Sequence, residues 1–144
     1  MLCRLTEGVR MPRLNPFALL PAVGGGGACA FYFATNPTPT IYAGMFFASI
    51  TAAAVAAVTV PRRAVGLGLL TFVLGSSVSL GMITVSGFGF ILFGEGLLAL
   101  IAFVGTRVAY RDARIAAGAF APFIGGIAGV VFVTVLLAVA TAFR

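Results

Sequence analysis

One acid, Glu95, stands inside the apolar run GFGFILFGEGLLALIAF at residues 87–103, with a glycine on either side. A carboxyl in such a setting has two uses. It takes up a proton or a cation on a path through a membrane, the default role of an ionisable intramembrane group, or it stays neutral and hydrogen-bonds a neighbouring helix. A charge near the middle of a span costs about 2.5–3.5 kcal/mol on insertion scales, so the uncharged acid is the cheaper form. On a helix, Glu95 shares its face with Ala99, Ala102 and Thr106, at the i+4, i+7 and i+11 positions, while Leu97, Leu98, Leu100 and Ile101 cover other directions. The spacing therefore turns Glu95 toward protein rather than lipid. If residues 64–106 form a helical hairpin turning near 85–89, depth pairs Glu95 with the group Ser76, Ser77 and Ser79, and the expected hydrogen-bond partner is Ser79.

Little other chemistry is on offer. Histidine and lysine are absent, the remaining acids are Glu7 and Asp112, and all nine cations are arginine. General acid–base catalysis has no cluster to work with, and no nucleophile has a visible activating base, so the chain is expected not to be an enzyme. The run GGGG at 24–27 lacks the Lys-Ser/Thr of a phosphate-binding loop. Cys3 and Cys29 are too few for a disulfide framework or a metal site and are read as unpaired thiols. No cofactor or metal is implied. Acylation of Cys3 would suit its place in a basic juxtamembrane tail, on position alone.

The elements that must position Glu95 follow from composition. Hydrophobic residues make up 61% of the 144 and charged ones 8%, against about 25% charged in soluble domains, and the mean hydropathy is +1.17. This is the composition of a single membrane domain over 1–144, with no room for a soluble one. At about 20 apolar residues per crossing, the spans fall near 17–35, 41–60, 64–85, 88–106 and 115–143, an all-α bundle of five transmembrane helices. Ala28-Cys29-Ala30 resembles a signal-peptide cleavage site, but the first span is read as retained. The last apolar stretch is longer than a straight crossing needs and holds Pro122, which predicts a long helix kinked there.

The arginines set the threading. Arg4, Arg10 and Arg13 precede the first span, Arg62 and Arg63 separate the second from the third, and Arg107, Arg111 and Arg114 precede the last, whereas NPTPT at 36–40 and the 85–89 turn carry none. Lys/Arg excess marks cytoplasmic connections, so the N-terminus is expected inside and Arg144 outside. The inner arginines would attract anionic lipid head groups. A basic face for nucleic acid needs a folded soluble surface, which this composition does not provide. Tyr32, Tyr42 and Tyr110 fall where an interfacial aromatic belt belongs.

Between helices in lipid, contact is made at small residues. Gly44, Ala48, Ala52 and Ala56 form such a row on the second span, Gly125 and Gly129 a pair on the fifth, and Gly24 to Gly27 leave bare backbone around a full turn of the first. Intramolecular packing is the expected use of each. Taken together, these features favour a non-catalytic accessory or structural subunit of the cell (plasma) membrane, packed among other membrane subunits or copies of itself. The alternative is a homo-oligomeric proton or ion channel or carrier centred on Glu95, with several copies of the acid gathered around one axis. Against it, no second acid, lysine, histidine or arginine lies within the spans to continue a relay.

Overall fold

The computed structural model describes residues 14–38, 40–60, 62–84, 87–109 and 120–143, without the side chains at 63, 87 and 88. Every described element is helical: a 3-10 turn at Pro16–Ala18, then α1 (Leu19–Thr35), α2 (Ile41–Thr59), α3 (Arg63–Ile83), α4 (Gly87–Ala109) and α5 (Phe120–Ala142). Each of the five helices is long and apolar enough to cross a bilayer, and the chain is a multi-pass membrane protein.

Local chemistry sets the helix ends. Before α2, the Thr40 hydroxyl accepts from the Ala43 N–H at 3.3 Å. After it, Val60 is extended, at φ −67° and ψ 122°, as the steric demand of the following Pro61 requires. α1 stops at the prolines of NPTPT, where the Asn36 side-chain amide donates to the Tyr32 carbonyl at 3.0 Å. The four glycines do not interrupt α1, and Pro21 lies in its first turn, where a missing N–H leaves no intrahelical bond unmade. α5 is described from Phe120, two residues before Pro122; residues 115–119, where the last span is expected to begin and against which a kink at Pro122 would be judged, lie outside the described set.

α1, α2, α3 and α4 close into a ring of neighbours, α1 touching α2 and α4, and α3 touching α2 and α4; α5 packs on the outside of α3. The interior holds Phe46, Phe47 and Ile50 of α2, Val73 of α3 and Leu92 and Ala99 of α4, with Val133 of α5 joining the same cluster. α5 also reaches α2, through Phe132 stacked on Phe46 at 6.5 Å.

The contact between α3 and α5 is made backbone to backbone. A Cβ on Gly125 would strike the Gly68 carbonyl oxygen and come within 2.5 Å of Thr71 Oγ1, and one on Gly129 would lie 2.5 Å from the Phe72 oxygen. Lipid gives helices no hydrophobic reason to associate, so this closeness, with its dispersion contacts, holds α5 in place. The row on α2 is different. Ala48 and Ala52 are exposed and Ala56 half-buried, while Gly44 sits 3.6 Å from Phe33 of α1. The expected contact face on α2 is thus corrected: phenylalanines and the alternate alanines Ala53, Ala54 and Ala57 turn inward, because the ring interior has space that small residues alone would not fill.

One end of the bundle is tied by Asn15. Its backbone N–H donates to the Val58 carbonyl at 3.1 Å, its side-chain amide donates to Thr106 Oγ1 at 2.9 Å, and its side-chain oxygen accepts from the Phe17 N–H at 3.2 Å. The start of α1 is thereby fastened to the ends of α2 and α4, which puts Arg62 and Arg107 at this same end. Asn15→Ala removes the cap and the link to α4 together and is expected to cost about 1–2 kcal/mol. Thermal unfolding in detergent measures it; a midpoint equal to that of the parent would rule the tie out as a stabilising contact.

Candidate functional site

Glu95 is 3% exposed. It is the eighth residue beyond Gly87 on α4, roughly 12 Å along the helix at 1.5 Å per residue, and α4 buries the face expected of it: Ala99 and Ala102 are fully buried and Thr106 nearly so, while Leu97, Leu100 and Ile101 are exposed. The carboxyl points across the ring. A Cβ on Gly24 of α1 would overlap Oε2, and one on Gly25 would lie 3.3 Å from both Oε1 and Thr51 Oγ1 of α2. The bare backbone of α1 therefore receives the acid of α4, and a side chain at Gly24 would displace the carboxyl from its present position. Gly26 and Gly27 face open space.

Neither Glu95 oxygen has a hydrogen-bond partner, and the buried hydroxyls of Thr51 and Ser77 have none either. The expected bond to Ser79 is not formed. Depth matching along the hairpin was sound, for the Ser77 Cβ lies 3.8 Å from a Cβ placed on Gly96. But adjacent helical residues point about 100° apart, so Gly96 meets α3 and Glu95 turns to α1 and α2. Ser76 is committed to the other side, donating to the Phe72 carbonyl at 2.8 Å and lying 3.4 Å from the Gly129 carbonyl of α5.

The hydroxyls of Thr51 and Ser77 differ from those of their neighbours. Thr71, Thr106 and Thr134 bond back to carbonyls of their own helix at 2.7–3.2 Å, the ordinary way a helix in lipid satisfies a hydroxyl. Thr51 and Ser77 do not, and they sit on the two helices that complete the ring with α1 and α4. An orphaned buried polar group costs about 1–3 kcal/mol, and the Glu95 oxygens and the Thr51 hydroxyl, which flank Gly25 together, call for a functional account.

Other sequence-derived positions stay apart from this level. Arg62 and Arg107 are exposed at the Asn15 end, Arg107 with its guanidinium 5.7 Å from the Phe103 ring. Cys29 is half-buried and unpaired. Cys3, Arg111 and Arg114 lie outside the described residues, as does the side chain of Arg63. Among the described residues no cluster of His, Cys, Asp or Glu is fit to hold a metal. A groove of about 510 Å³ between α3 and α5, lined by Leu74, Pro122, Phe123, Ile127 and Val131, contains the Thr71 hydroxyl, but that group is already used by its own helix. Comparison with known proteins finds no matching family model, no similar curated protein and no similar solved structure.

Proposed function

We propose that this chain is a small carrier of the cell membrane that takes up a proton or a small cation at Glu95 and passes it across the bilayer. The observation that supports this reading is a fully enclosed carboxyl whose two oxygens have no protein partner and abut the glycines of α1. A carboxyl kept to brace two helices would hydrogen-bond one of them. Because Glu95 is buried within a single chain, a pore formed by several copies of the acid on a shared axis does not fit, and each bundle would work alone. Thr51 brings a second unpartnered hydroxyl against Gly25, beside the carboxyl. The threading that goes with this reading keeps Arg62, Arg63 and Arg107 on the cytoplasmic side, against anionic lipid; no enzymatic step is part of it.

The test is flux into liposomes carrying the purified protein, driven by a pH gradient with Na⁺ or K⁺ present. Flux is expected with the parent and a loss of at least about 100-fold with Glu95→Gln, since intramembrane ionisable groups carry such pathways. Equal flux from both proteins, or none from the parent, refutes the carrier.

An accessory role within a larger assembly is the second reading, favoured by the row Ala48 and Ala52 that α2 presents outward. Small residues facing lipid are where another subunit's helix would approach closely. Purification from the native membrane with unrelated larger polypeptides in fixed ratio would support it.

A further inference from the structure

Two buried oxygens from different helices converge beside Gly25 of α1. A Cβ there would lie 3.3 Å from Oε1 of Glu95 and 3.3 Å from Oγ1 of Thr51, and neither oxygen has a hydrogen-bond partner. We propose that Glu95 and Thr51 form a site for the proton alone: when the proton leaves Glu95, the Thr51 hydroxyl turns to the carboxylate across Gly25 and holds it until the next proton arrives. This rests on the carrier reading and narrows its substrate to H⁺.

The two oxygens are no farther apart than twice their distance to that point, a gap closed by a change of staggered well at Thr51 χ1 or along the Glu95 side chain. Gly25 is buried and has no side chain to stand between them. The hydroxyl is free to donate: Thr71 and Thr106 bond back to carbonyls of their own helices, as helical threonines ordinarily do, and Thr51 does not. A hydrogen bond to an ionised acceptor is roughly twice as strong as one to a neutral acceptor, so Thr51 acts as a positioning residue for the unloaded site. The departing proton passes to water, Thr51 keeps its own, and the carboxylate takes one proton back.

The donor set selects the proton over a metal ion. A bare cation needs a ring of protein oxygens in place of its hydration shell. Beside Gly25 only the carboxyl and one hydroxyl meet. The Ser77 side chain faces Gly96, a helical rotation away from Glu95, and the Leu98 methyl Cδ1 would lie 2.6 Å from a Cβ on Gly24, so an apolar group flanks the carboxyl there. A proton needs one oxygen. The other titratable or charged residues on the surrounding helices are Cys29 and Tyr32 on α1, Tyr42 on α2, Arg63 at the start of α3 and Arg107 near the end of α4. Cys29 lies one turn beyond Gly25 and the others farther along their helices, so the pH dependence of the site is that of Glu95 and its partner.

Labelling by dicyclohexylcarbodiimide, which adds to protonated buried carboxyls, provides the test, read by mass spectrometry over a pH series on the full-length protein in phosphatidylcholine vesicles. Thr51→Val is expected to raise the pH of half-maximal labelling of Glu95 by about one unit or more, the consequence of losing a hydrogen bond to a charged acceptor. Gly25→Ala, whose methyl enters the gap, is expected to do the same, whereas Thr51→Ser and Gly26→Ala keep the parent's value. Equal labelling of parent and variants at low pH, where each carboxyl is protonated, shows the site intact. Replacing choline with Na⁺ or K⁺ at constant ionic strength is expected to change labelling by less than about twofold. A parental midpoint in Thr51→Val overturns the pairing, and protection of about tenfold or more by either cation overturns the proton-only site. Proton flux under a pH gradient in choline separates this from the carrier reading. Flux lost in Glu95→Gln with the Thr51→Val midpoint unmoved leaves a carrier without the Thr51 pair; a moved midpoint with no flux in the parent leaves the pair and removes the carrier.

Discussion

Gly125→Val is expected to loosen α5 from the bundle and to cost at least about 3 kcal/mol, the upper range for forcing extra atoms into a packed contact. The reason is what a side chain there would meet. A Cβ at 125 runs into the Gly68 carbonyl and lies 2.8 Å from the Gly68 carbonyl carbon. Backbone of α3 cannot rotate away as a side-chain tip can, so α5 must withdraw along its length, and the Gly129 approach to Phe72 and Ser76 is lost with it. Gly126→Val on the next residue is the control. Nothing lies within 4 Å of a Cβ there, and replacing glycine by valine in a helix gains about a few tenths of a kcal/mol of helix propensity in aqueous hosts. Unfolding of both variants by graded SDS in mixed micelles reads the difference. Similar midpoints for the two would mean that α5 is not held by this contact.

The contrast between neighbouring glycines also shows what the sequence could and could not reveal. Span number and span limits follow from hydrophobic length and from arginines that resist hydrocarbon, and the described helices begin and end within a few residues of those limits, the start of the fifth span at 115–119 lying outside the described residues. The inward face of α4 was readable because Ala99, Ala102 and Thr106 repeat at helical spacing beneath Glu95. Which helix that face meets was not readable. It depends on how five rods of nearly uniform apolarity close into a ring, and in lipid the contacts that decide this are shape, not polarity. Hence the serines of α3, matched to Glu95 by depth along the hairpin, lie one residue's rotation away from it. The row on α2 failed for the same reason: a four-residue spacing of small side chains marks one face of a helix without saying whether protein or lipid covers it. One signal for the site was present and unused. A lone acid on one span and consecutive glycines on another are complementary in shape, since the acid needs room and the glycines leave it.

Glu95→Met is expected to move stability and transport in opposite directions. Methionine has nearly the volume of glutamate and the flexibility to settle against Gly24 and Gly25, so the packing between α1 and α4 survives, while two buried oxygens without partners are replaced by apolar atoms. Removing such orphaned groups is expected to stabilise the fold by about 1–3 kcal/mol, raising the SDS midpoint above that of the parent. Flux through reconstituted vesicles is expected to fall by at least about 100-fold, because Glu95 is the only acid among the described residues and no other group there can carry a negative charge across the site. A carboxyl that braced the bundle would give the reverse sign in the first measurement: losing it would strand its partner and lower the midpoint. The two uses of an intramembrane acid thus separate on the direction of a single shift. Natural selection tolerates an acid that weakens the protein only where the acid does something that a methyl thioether cannot.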